Sequence, residues 1–153
     1  MYNLLDLLHS NIRYFIFAAL VFVLFRAYLG WLNKRPFEKA DNMGSLVLLS
    51  LTHLQLLLGL LLYAVFSPIT QAAFGDFGAA MKDGHLRYFA VEHIAAMLIA
   101  VVLIQLGRTF SKKAESDYRK HRILAIYNTI ALIVILGSLV PKGLLLGTSD
   151  VVQ

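Results

Sequence analysis

The sequence predicts an all-α integral membrane protein, an up-down four-helix bundle in a single transmembrane domain over residues 1–153. Three observations point there. Apolar residues make up 59% of the chain and charged residues 15%, with a mean hydropathy of +0.70, whereas soluble domains are roughly 45–50% apolar and about 25% charged. The apolar excess falls into four blocks, each close to the roughly 20 residues that cross a bilayer as a helix. The connections between blocks are short, which sets neighbouring helices antiparallel. In hydrocarbon every backbone polar group must be satisfied internally, so the blocks are helices.

The first span is expected over residues 7–29, with an uninterrupted apolar centre from Tyr14 to Phe25. Arg26 is close enough to its end to snorkel, and Trp31 suits the interfacial aromatic belt. A polar loop with Pro36 follows, and a leucine-rich second span covers residues 43–66. Ser67-Pro68 stops that helix, because proline cannot continue it. Residues 67–86 form the longest connection, with a short interfacial helix expected over 71–81. The third span is expected over residues 87–106 and the fourth over 123–140, ending at Pro141. A basic loop lies between them, and Gly143 and Gly147 leave the tail weakly specified.

Charge sets the expected orientation. Ten of the fourteen Lys and Arg residues lie at or near the 1–2 and 3–4 loops, while Arg13, Lys82, Arg87 and Lys142 lie at the other side. The positive-inside rule puts those loops in the cytoplasm and both termini outside. Topology therefore accounts for the formal charge of +5 without nucleic acid as a partner. The first block lacks a basic leader and a small-residue cleavage site, so it reads as a span and not as a signal peptide. With no cysteine, disulfides, thiolate metal sites and cysteine nucleophiles are excluded. No nucleophile–base pairing, phosphate loop or zincin motif points to an enzyme acting on a soluble substrate.

Ionisable residues inside a membrane are costly and mark function or pairing. Counted at roughly 1.5 Å per residue, Arg13 and Glu92 reach the same depth toward the outer face, and they are expected to pair. His9 shares a helix face with Arg13, four residues on. The outer third of the bundle thus gathers His9, Arg13, Glu92, His93, His85 and Arg87. His53 lies nearer the middle of the second span, with Ser50 on its face as a hydrogen-bond partner. His121 falls in the basic loop and is expected to be solvated. Gln105 and Asn128 are expected to bond between helices, and Tyr63 and Tyr88 to serve as belt and packing residues near the outer interface.

Two histidines on facing helices suit haem, since imidazole holds the iron axially and apolar side chains enclose the ring. The absence of Cys-x-x-Cys-His makes such a haem b-type and non-covalent. His53 and His93 are the expected ligands, although the same depth count sets them about 10 Å apart. Arg13 and Arg87 would meet the propionates, and Ala90, Ala95 and Ala96 would make room for the ring.

The His9-Ser10-x-x-Arg13 opening, the run from His53 through Gln55 and Gly59 to Tyr63, and Ala80-Met81-Lys82-Asp83 followed by Leu86 to His93 together carry a resemblance. The chain resembles small bacterial four-helix membrane proteins labelled cytochrome b or cytochrome b-like. That resemblance implies a haem-associated role in a bacterial inner membrane, with His53 and His93 as ligands. It lacks the paired histidines of respiratory cytochrome b, so a single haem is expected, with a quinone or another redox partner exchanging electrons. Two further readings stand beside it. His9, Glu92 and His93 suit a zinc, copper or iron ion or a proton-handling site at the outer face. The bundle also suits a cofactor-free accessory subunit.

Overall fold

The structure, a computed structural model, describes residues 1–146. Residues 147–153, with Gly147 and the expected outer C-terminus, lie outside the described residues. Among the described residues there is no strand, and four helices are long and apolar enough to cross a membrane. The protein is a four-helix bundle.

The first span is α1 (Tyr2–Leu32). The second is α2 (Lys39–Leu61), prolonged by a π-helical turn over Leu62–Phe66. α3 (Pro68–Gly75) and the single turn α4 (Phe77–Ala80) follow. The third span is one continuous helix made of α5 (Gly84–Arg87), a π-helical turn over Tyr88–Glu92, and α6 (His93–Lys113). The fourth is α7 (Asp117–Leu139), ending in a 3₁₀ turn over Val140–Lys142. α1 packs on α2, α2 on α6, α6 on α7, and α7 back on α1, which closes the ring.

The core is built where four apolar stripes meet: Ile16, Leu20, Val23, Leu48, Ile104 and Ile135 are among its buried residues. Large apolar side chains such as Phe15, Phe25, Leu57 and Ile133 stand exposed around the outside, as lipid contact requires. Close helix approach relies on glycine. A Cβ at Gly107 would stand 2.7 Å from Tyr127, and one at Gly30 would stand 2.3 Å from the His121 ring, so only hydrogen fits.

Several local expectations change. The basic residues between the third and fourth spans are helical, and the loop shrinks to residues 114–116 because Ser116 caps α7 by accepting from the Arg119 amide at 3.3 Å. His121 then lies within α7 and is fully buried, packed on Phe37 at 5.1 Å between ring centroids, where solvation had been expected. The expected helix over 71–81 starts earlier. Ser67 caps α3, Pro68 takes its first turn, and the chain breaks at Asp76, which caps α4 in turn.

At the end of the bundle carrying Arg26, its guanidinium donates to Asp41 at 2.6 Å and to Glu38 at 2.7 Å, and Arg35 reaches the same two carboxylates at 3.0 and 3.1 Å. Arg108, also buried, donates to the Asn42 carbonyl at 2.9 Å and to the Ser45 hydroxyl. Gln105 and Asn128 bond within their own helices, to Thr109 at 3.1 Å and to the Leu124 carbonyl at 2.8 Å.

Candidate functional site

At the opposite end, a cavity of about 500 Å³ opens among the four spans. Its walls are mainly apolar, with Phe17, Met97 and Ala100 among them, and His9, Arg13, Gln55 and His93 supply polar groups. A volume of this size is within the roughly 300–1,000 Å³ of small-molecule and cofactor pockets.

The two histidines of this cavity face each other. The rings of His9 and His93 lie 6.4 Å apart between centroids, with their planes at 72°. Imidazole nitrogen binds a transition metal at roughly 2.0–2.1 Å, so rings at this separation leave room for a metal between them. His9 is carried by the first span, and Gln55, opposite it on α2, ties that backbone down by donating Nε2 to the His9 carbonyl at 2.8 Å. Gly59 leaves the room. A Cβ there would stand 3.1 Å from His9 Cε1.

His93 is set by the π turn. In an α-helix residues three and four apart share a face; the wider turn closes i→i+5 bonds instead. The His93 amide donates to the Tyr88 carbonyl across five residues, and the Tyr88 hydroxyl lies 3.3 Å from His93 Nδ1. Tyr88 also donates to the Ser138 carbonyl at 3.1 Å, tying the fourth span to the site. The turn is held by Tyr63, whose hydroxyl donates to the Ala90 carbonyl at 2.7 Å. Tyr63 and Tyr88 thus bond inside the bundle, and Tyr88, 2% exposed, is a packing residue and not one of the belt.

Three buried polar atoms without a partner converge on this cavity among the described residues: His9 Nδ1, Arg13 Nε and Gln55 Oε1. Buried polar groups are nearly always hydrogen-bonded, and these three atoms are free to bond whatever occupies the cavity.

The sequence-predicted site residues divide. His93, His9 and Arg13 line the cavity. His53 does not. It is exposed on the lipid side of α2, and its Nδ1 lies 3.0 Å from the Leu49 carbonyl, not beside Ser50. The expected His53–His93 pairing is therefore replaced by His9–His93. Glu92 is exposed and turned away. It accepts from Arg87 Nε at 2.7 Å, so the expected Arg13–Glu92 pair is absent and Arg87 is drawn off the cavity. His85 is exposed and packs on Phe89 at 5.1 Å. Ala90 packs with Ala73 and Ala80, Ala95 is exposed, and Ala96 is not among the lining residues, so the room comes from Gly59 and Ala100 instead.

No group of three His, Cys, Asp or Glu residues able to hold a metal ion exists among the described residues, which removes the His9–Glu92–His93 ion site. A haem asks for less, since its macrocycle supplies the remaining donors and the protein only axial ones. Gln55, Gly59 and Tyr88 had carried no assigned role in the site. The signal for Gln55 was its position two residues after His53, on the far side of the helix. No protein-family model, curated protein or solved structure matches this chain.

Proposed function

We propose that this membrane protein holds one non-covalent b-type haem between His9 and His93 and carries electrons within the bilayer. The observation that supports this most is the 6.4 Å separation of the two imidazoles across a cavity of about 500 Å³. When bound, haem supplies a one-electron couple whose potential depends on axial ligands, hydrogen bonding and burial. His9 and His93 would supply ring nitrogens to the iron. Arg13, lacking an acidic partner among the described residues, offers its guanidinium to a propionate. Phe17, Met97 and Ala100 line the apolar wall and keep water from the ring. The proposal keeps a single haem and puts His9 in place of His53.

Orientation and partners belong to the same proposal. The concentration of Lys and Arg at the Arg26 end supports a cytoplasmic side there and a cavity in the outer half of the membrane, which the proposal takes to be a bacterial inner membrane. A cavity open among lipid-facing helices is suited to a redox partner that arrives through the bilayer, such as a quinone.

The absorption spectrum of the protein purified from haem-replete cells tests the proposal. A Soret band with a reduced-minus-oxidised difference is expected, lost in His93→Ala, lost or strongly weakened in His9→Ala, and unchanged in His53→Ala. A colourless protein that gives no spectral shift on titration with hemin would overturn the proposal.

A further inference from the structure

We infer that Tyr88 is a positioning residue that holds His93 in its Nδ1–H tautomer, leaving the lone pair on Nε2, the nitrogen available to the cavity. The inference rests on the proposed function for its purpose, but its chemistry is that of the protein alone. A tyrosine hydroxyl has one proton to donate. Two acceptors compete for it in α7, the Ser138 carbonyl at 3.1 Å and the Ser138 hydroxyl at 3.3 Å, and His93 Nδ1 stands at 3.3 Å on the other side.

The carbonyl has the stronger claim. Ser138 is among the last carbonyls of α7, which lack the usual helical donors, and Pro141, three residues on, has no amide proton to offer. If the Tyr88 proton went to His93 instead, two oxygens would face each other at 3.1 Å with no proton between them. With the proton on the carbonyl, the hydroxyl oxygen is an acceptor, and His93 Nδ1 must be the donor. Neutral imidazole carries one proton, so Nε2 is left bare.

This is the form a metal-ligating histidine needs, and a hydrogen bond at the second nitrogen is what fixes it. The π turn makes the contact possible, because residues five apart meet only where the helix widens. His9 has no equivalent: its Nδ1 is buried without a partner. The two histidines are therefore unequal, His93 being preset.

The test is made first on ¹⁵N-histidine-labelled protein without haem, in lipid nanodiscs. His93 should show a protonated Nδ1 and a bare Nε2, and Tyr88→Phe should convert it to a tautomer mixture or to the Nε2–H form. Ser138→Ala, which keeps the backbone carbonyl, should leave the tautomer unchanged. A wild-type His93 in the Nε2–H form, a Tyr88→Phe protein with an unaltered tautomer, or a Ser138→Ala protein with an altered one would each overturn the inference. Hemin titration is the second readout. Loss of a hydrogen bond to a ligating histidine weakens metal affinity by roughly 10–100-fold, and Tyr88→Phe should do so; undiminished affinity would overturn its positioning role. If the wild type takes up no hemin, the proposed function fails, while the haem-free spectra still decide the tautomer.

Discussion

Glu92 is bonded to Arg87, not to Arg13: Oε1 accepts from Arg87 Nε at 2.7 Å, and both side chains are more than 40% exposed. Arg13 is left at the cavity with its Nε buried and unpartnered. The two positions should therefore respond differently to neutralisation. An exposed ion pair contributes roughly 0–1 kcal/mol, so Glu92→Gln should leave stability and hemin affinity nearly unchanged. A hydrogen bond to a charged group contributes roughly 1.5–3 kcal/mol, so Arg13→Gln should weaken hemin binding by about one to two orders of magnitude. Equal effects in a titration of both variants would contradict this assignment.

Gly59 gives His9 its place. A methyl group there would meet His9 Cε1 at 3.1 Å, tight enough that the ring must yield. Overpacking costs about 1–3 kcal/mol, and here it falls on one of the two proposed ligands. Gly59→Ala should weaken hemin binding with little loss of helicity, and Gly59→Val should weaken it further. Circular dichroism beside the titration separates the two effects.

The other end of the bundle offers a contrast. A Cβ at Gly30 would overlap the buried His121 ring at 2.3 Å. Gly30→Ala should destabilise the bundle by about 1–3 kcal/mol through forced repacking, seen as a lower midpoint of denaturation. A Gly30→Ala, His121→Ala double variant should recover part of the loss.

The start of the third span should depend on pH. Asp83 accepts from the His85 and Leu86 amides at 2.8 and 3.0 Å, and these bonds hold its carboxyl below the usual range. A carboxyl lowered by folding stabilises above its unfolded pKa, and that contribution is lost as pH falls through its folded pKa. Amide exchange at His85 and Leu86, corrected for its intrinsic pH dependence, should lose protection at acid pH. In Asp83→Asn the acid-dependent part should vanish.

Much of the architecture was legible because it rests on local properties. Runs of apolar residues, Ser67-Pro68 and the loop charges can be read one segment at a time, and they located the four spans within several residues. The helix around Arg108 and His121 was missed because the basic residues Lys112, Lys113, Arg119 and Lys120 look like a loop, although their side chains need only a helix end near water. Depth counting failed for Arg13 and Glu92. It compares heights along the membrane normal and carries no information on which way each helix is turned.

An all-α membrane bundle is readable from the chain alone, because burial in lipid requires length, apolarity and closed hydrogen bonding, all of which are written along it. Which histidines meet depends on packing. His53 and Gln55 lie on opposite sides of α2, and the helix rotation that turns Gln55 toward His9 sends His53 to lipid. That rotation follows from packing across the whole ring of helices, from Gly59 beneath His9 and from the π turn that joins Tyr88 to His93. No spacing within one span encodes it.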